Sequence, residues 1–237
     1  MNLTHGYILL LMLLVSACRQ ESPKRPFQDK VTNSEITPLL KHVVSSDLTC
    51  FTLTKQDYNF VISPSLANFI VELIFDPNTY HRTILISKAG ESAPYQIIDA
   101  DVGEQLSYGE DLRAVDVNFD GYKDLVLLGW FGATGNKGYS FYIFDSLSKT
   151  FILNTDLGEL ESPRFDDSTK LILTHSVGGM AGNIYRNEIY KYENGKLKLI
   201  HAVYQDFDQN TDHFVRKTKH MRNGQLKDST TIIFPAF

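Results

Sequence analysis

From about residue 47 onward, polar and apolar residues alternate with a period of two or gather in short apolar runs, broken by turn clusters every eight to fifteen residues. Period two is the signature of a strand with one face buried. The pattern predicts strands over 48–54, 58–62, 67–75, 82–88, 94–98, 112–116, 124–130, 139–145, 150–153, 170–176, 184–192, 197–204, 213–221 and 229–234. They are rich in Tyr, Phe, Ile, Val and Thr, the residues a pleated surface prefers. Glu193-Asn194-Gly195-Lys196 and Arg222-Asn223-Gly224-Gln225 read as hairpins, because a tight type I′ turn needs positive φ at both central residues. Only 35–43, with Thr37-Pro38 as its start, reads as helix. The expected fold is all-β, an antiparallel meander closing as a small or irregular propeller, with a β-sandwich as the alternative.

The first residues follow another pattern. Tyr7 to Ala17 is an apolar run that ends in Val15-Ser16-Ala17-Cys18. Eleven residues fall short of the roughly twenty needed to cross a bilayer core. They match the apolar region of an export signal. Small residues before a cysteine match a lipoprotein processing site, so Cys18 is expected to carry the lipid and to begin the mature chain. The segment before the run has no Lys or Arg, and a plain secretory signal is the alternative. Residues 19–37 are polar, contain proline and lack periodicity, as a tether would. Arg19 follows the cysteine, which favours the outer membrane, facing the periplasm. Residues 38–237 are then expected to form one β-rich domain.

The 237 residues carry a formal charge of −5, which argues against a nucleic-acid ligand. With Cys18 lipidated, Cys50 has no partner for an intramolecular disulfide. It lies in an alternating run and reads as a small buried hydrophobe.

Asp116-Val117-Asn118-Phe119-Asp120-Gly121-Tyr122-Lys123-Asp124 places oxygen side chains at alternate positions, then a glycine, then a further carboxylate. A hard ion such as Ca²⁺ takes six to eight oxygens, and a short loop supplies them by turning every second side chain inward. The expected ligands are Asp116, Asn118, Asp120, the carbonyl of Tyr122, and Asp124. An EF-hand would continue as a helix and end in Glu at position twelve, where this chain has Leu127 within a strand-like run. The alternative is a metal-free turn, since Asp, Asn and Gly dominate ordinary turns. Asp206, Asp208, Asn210 and Asp212 repeat the rhythm without the glycine, and a solvated turn is the default there.

Nothing points to catalysis. The seven histidines form no zinc pattern, and no nucleophile elbow is present. Glu159 and Glu161 sit two apart on a strand-like segment and read as a solvated face. Two glycine-bearing loops, 130–139 and 177–185, suit protein binding, as functional residues collect on loops held by a rigid scaffold. Trp130, Phe131, Asn183 and Tyr185 are the candidate contacts, with Trp130 and Phe131 equally readable as a cap on the core.

The run DVNFDGYKDLVLL, the Gly/Asn/Tyr loop after it, the strand YSFYIFD and the segment ending in YKYENGKLKLI resemble a family of bacterial envelope proteins. That family is typified by a periplasmic immunity lipoprotein acting against a peptidoglycan hydrolase delivered by a type IV secretion system. The metal loop also resembles those of FG-GAP and VCBS propeller repeats. The resemblance spans about residues 110–205. It implies a calcium-binding β-scaffold without enzymatic activity, whose protein partner is a peptidoglycan hydrolase. Some lysozyme inhibitors insert a Ser-Gly-x-x-Tyr loop into the enzyme's cleft. Ala181-Gly182-Asn183-Ile184-Tyr185 is the nearest match and has alanine in place of the serine. The two functions expected are therefore a hydrolase inhibitor and a structural or carbohydrate-adhesive envelope module.

Overall fold

The computed structural model describes residues 53–66, 68–91, 93–100, 112–193, 195–222 and 224–235. The signal segment, Cys18, the tether, the helix expected over 35–43 and Cys50 lie outside the described residues. The chain groups into a body, Thr54–Phe75 with Thr79–Phe237, and a second unit of Met1–Leu53 with Asp76–Asn78. In the second unit the described turn is closed by Asn78, whose backbone N–H donates to Asp76 Oδ1 at 2.9 Å.

The body is all-β, built from three antiparallel sheets whose strands follow sequence order. The first contains β1 (Thr54–Phe60), β2 (Phe69–Asp76), β3 (His81–Lys88) and β4 (Gln96–Ala100). The second contains β5 (Leu112–Val115), β6 (Asp124–Phe131), β7 (Lys137–Asp145) and β8 (Thr150–Leu153). The third runs from β9 (Arg164–Asp166) through β10 (Leu171–Val177), β11 (Tyr185–Glu193), β12 (Lys196–Asp208) and β13 (His213–Arg222) to β14 (Gln225–Pro235). Each sheet is a meander, and none closes into a barrel. Among the described residues no helix is long and apolar enough to cross a membrane.

The middle sheet is buried on both faces, which explains the continuous apolar run of β6. Leu125 and Leu127 pack with Tyr142, Phe144, Val71 and Ile84 in a core shared with the first sheet. Val126, on the opposite side of the same strand, packs with Phe141 and Ile172 in a core shared with the third sheet. Successive side chains on a strand point to opposite faces, so a strand between two cores has to be apolar at every position. Rings lock the first core: Phe144 lies 5.2 Å from Phe151 and 6.1 Å from Phe69, both edge-on.

Both Asn-Gly hairpins form as expected, joining β11 to β12 and β13 to β14, with Gly195 and Gly224 at φ of 73° and 74°. β1 runs unbroken over Thr54–Phe60, where a strand ending at 54 and another beginning at 58 were expected, and two short elements also differ. β9 was not foreseen, because three residues are too few to show a period. Thr155–Gly158 forms a single helical turn, α1, capped by Asn154, whose side chain accepts from the Leu157 N–H. Glu159 is the residue after that turn, so Glu159 and Glu161 do not share a strand face. At the second alternating-oxygen run, Asp208 Oδ1 accepts from the Asn210 N–H at 2.9 Å and closes a turn on itself.

Candidate functional site

β6 separates the two regions that the sequence places side by side. Asp124 begins this strand and Trp130-Phe131 end it. At about 3.3 Å per residue the two ends lie about 20 Å apart. The Asp/Asn loop is therefore at one end of the middle sheet, and the loop after Trp130 is at the other. β10 and β11 run between the same two ends. Lys170, just before β10, lies over the Phe119 ring at 5.4 Å, and Val177 at the end of β10 meets the loop after Trp130.

At the acidic end, three alternate side chains turn inward on one bend. Asp116 Oδ1 and Asn118 Oδ1 both accept from the Asp120 N–H at 3.1 Å. Asp116 Oδ2 accepts from the Gly121 N–H and Asp120 Oδ1 from the Tyr122 N–H, each at 2.9 Å. Gly121 sits at φ of 91°, which a residue with a side chain adopts only under strain. Phe119 also takes a positive φ of 64°, with its ring packed on the second core.

Asp124 behaves differently from these three. It is fully buried, with Oδ2 accepting from the Val117 N–H at 2.9 Å and Oδ1 from the Phe144 N–H at 2.8 Å. It ties the base of the loop to β7. Burial pushes its carboxyl up to about 7, opposed by the Phe144 and Val117 N–H groups, while the charges of Asp120 and Asp116 add to the rise.

The oxygens of Asp116, Asn118 and Asp120, with the Tyr122 carbonyl, are the hard donors that a Ca²⁺-like ion requires. Here the side-chain oxygens are engaged by backbone N–H groups. Among the described residues no three His, Cys, Asp or Glu side chains converge as a metal cluster. The donor types fit an ion. Asp124 could join only through the second lone pair of an oxygen already accepting a hydrogen bond. A groove of about 440 Å³ opens beside the loop, lined by Asn118, Asp120, Asp145, Ile152 and Tyr192 among others.

At the far end two loops are fastened together. The Asn136 side chain accepts from the Val177 N–H at 2.9 Å and donates to the Val177 carbonyl at 3.0 Å. Ser162 fastens the same loop from below: its Oγ accepts from the Lys137 N–H, and its own N–H donates to the Lys137 carbonyl. Trp130 pairs across the strands with Gly138 and lies against it, so that a Cβ there would fall 2.0 Å from the indole Nε1. The indole is thus positioned by a missing side chain, yet Trp130 remains 42% exposed, and Phe131 52%. Lys137 Nζ sits 5.4 Å from the Phe131 ring.

The second loop carries a tight turn. Met180, Ala181 and Gly182 all take positive φ, at 54°, 54° and 88°. For the two non-glycine residues this costs on the order of 1–2 kcal/mol each. Asn183 helps to hold the turn, donating from its side chain and its backbone N–H to the Met180 carbonyl at 3.0 and 3.1 Å. Gln205 Nε2 donates to the Asn183 carbonyl at 2.8 Å. Tyr185 is half-buried, with the Arg216 guanidinium 5.8 Å from its ring. Of the four candidate contacts, Trp130, Phe131 and Asn183 are exposed to solvent, Asn183 with its amide nitrogen committed to the turn, while Tyr185 is half-buried. Met180, at the tip, is 48% exposed and was missed. An apolar residue flanked by Gly178-Gly179 and Gly182 was the available signal.

No family model matches the chain, and no curated protein matches it. A structural neighbour, described as a Xanthomonas type IV secretion system related protein, superposes with a TM-score of 0.47 at 16% identity, covering 75% of this chain and 99% of its own.

Proposed function

We propose that this chain is a lipid-anchored, calcium-stabilised binding protein of the bacterial envelope that inhibits a cell-wall hydrolase through the loop pair 130–139 and 177–185. The observation that carries the reading is the joining of those loops by Asn136 beside a strained turn with Met180 exposed at its tip. A loop that is ordered before binding loses less entropy on entering a cleft. Backbone strain concentrates where a fold over-determines a functional segment. Aromatic residues such as Trp130 and Phe131 are the usual anchors of protein interfaces. The sequence at 1–18 supports export and a lipid at Cys18, and Asp116, Asn118, Asp120 and the Tyr122 carbonyl would hold the calcium ion, with Asp124 behind them.

The second reading, a carbohydrate-adhesive module, draws on the same exposed Trp130 and Phe131, since flat rings also stack on sugars. Peptidoglycan hydrolysis by purified muramidases and amidases, titrated with this protein and paired with its binding to insoluble peptidoglycan, separates the two. Inhibition without glycan binding supports the inhibitor, and glycan binding without inhibition supports the adhesive module. Neither result across a panel of hydrolases would remove both.

A further inference from the structure

The third sheet has one face turned to the second core, through Tyr190, Tyr192 and Leu197. Its other face is basic. Lys191 on β11 is paired with Lys198 on β12, and Glu193 with Lys196. One step along β11 from Lys191 on the same face, Ile189 is paired with His201, which is paired with His220 on β13, and His220 with Lys227 on β14. Arg222 lies two residues beyond His220. Cross-strand partners share a face, and so do alternate residues on a strand. This register therefore gathers Lys191, Lys196, Lys198, Arg222 and Lys227 around two histidines.

Among the described residues, the carboxylates on that face are Glu193, which pairs with Lys198, and Asp166, which is held by the Ser168 and Thr169 hydroxyls. Lys191, Lys196, Arg222 and Lys227 are exposed and make no ion pair among the described residues. His220 Nε2 is buried without a hydrogen-bond partner. A cationic face stands out on a chain of net charge −5, where uniform spacing of charge would leave it acidic.

We infer that this face docks on an anionic membrane surface, its lysines and Arg222 contacting lipid phosphates. The occupant follows from charge and from the sequence. The cations are spread over four strands, as an extended charged surface requires, and do not converge on a pocket for one small anion. The lipid proposed at Cys18 would also bring the chain to a membrane, and a basic surface is the second attachment that one anchor needs to fix orientation. This reading is independent of the inhibitor proposal, whose loops lie at the other end of β11.

The test is co-sedimentation of the full chain with vesicles of phosphatidylcholine alone and of phosphatidylcholine with phosphatidylglycerol. The increment from the anionic lipid is the readout, because attachment through the N-terminal end contributes equally to both. The increment should shrink with salt. Lys191→Gln and Lys227→Gln should each reduce it about fivefold, with Lys149→Gln unchanged and all melting temperatures equal to wild type. An anionic increment that is absent, or that survives when Lys191→Gln and Lys227→Gln are combined, overturns the inference. So does tight binding to inositol hexakisphosphate with no increment on vesicles, which would make the face a site for a soluble polyanion.

Discussion

Asn136 pairs with Val177 as a strand neighbour would, its side-chain amide taking the Val177 N–H and giving to the Val177 carbonyl. One side chain thus replaces a backbone bridge between two loops that lie 41 residues apart in sequence. Asn136→Ala leaves both Val177 groups without that partner in a partly buried setting. An unmade hydrogen bond of this kind costs about 1–3 kcal/mol. Amide exchange should accelerate across 177–185 and remain unchanged at β6 and β7. Equal protection of the loop in wild type and variant would show that the staple does not order it.

Asp124 and Asp120 should fail in different ways. Asp124→Ala strands the buried N–H groups of Val117 and Phe144, so urea denaturation should show a loss of about 2–5 kcal/mol with or without calcium. Asp120 is exposed, and Asp120→Ala should change metal-free stability by less than about 1 kcal/mol while abolishing any rise in melting temperature on adding calcium. A wild-type melting curve that is the same in calcium and in chelator would remove the ion from the proposal.

Gly138 is a space requirement, because the Trp130 indole occupies the place of its side chain. Gly138→Ala should force the ring outward and shift its emission toward longer wavelength. Trp130 is the sole tryptophan of the chain, so the change reads directly from intrinsic fluorescence. An unmoved spectrum would mean that the strand, and not the ring, gives way.

Glu188 accepts hydrogen bonds from Tyr190 at 2.8 Å and from Tyr204 at 2.7 Å. Burial, and then this carboxylate, raises both phenols, Tyr204 to about 12. A raised phenol pKa favours the protonated form in the fold. That stability is fully present below the unfolded value near 10 and is lost as pH rises from about 10 toward 12. Phenolate absorbance at these two residues should appear together with unfolding. Glu188→Gln should let it appear at lower pH while the protein remains folded.

Most strands were legible because β2 to β5, β7, β8 and β10 to β14 carry enough alternation or turn punctuation to show, and the Asn-Gly pairs marked two hairpins. The apolar run at Leu125-Val126-Leu127-Leu128 was readable as a buried strand, but not which sheets covered it, since burial on both faces erases the alternation that assigns a face. Adjacency in sequence misled at the site. The metal loop abuts Trp130 by number, yet a strand between them sets them about 20 Å apart, so an ion at Asp116–Asp120 cannot stiffen the loop pair by contact. The Asn136–Val177 bond was invisible for the opposite reason, joining residues that no local pattern connects. Asn183 and Tyr185 drew notice by their glycine-rich setting, whereas Met180 occupies the exposed tip.

The inhibitor reading is tested most directly by hydrolysis of peptidoglycan by a purified muramidase or amidase, titrated with wild type, Trp130→Ala, Met180→Gly and Asp120→Ala. Wild type should inhibit at least one such enzyme. Trp130→Ala and Met180→Gly should weaken that inhibition about tenfold or more, as loss of an interface anchor does, and Asp120→Ala, at the opposite end, should not weaken it when calcium-free stability is matched. Inhibition that is lost only in Asp120→Ala, or absent from the whole panel with wild type, would contradict the assignment of function to the loop pair.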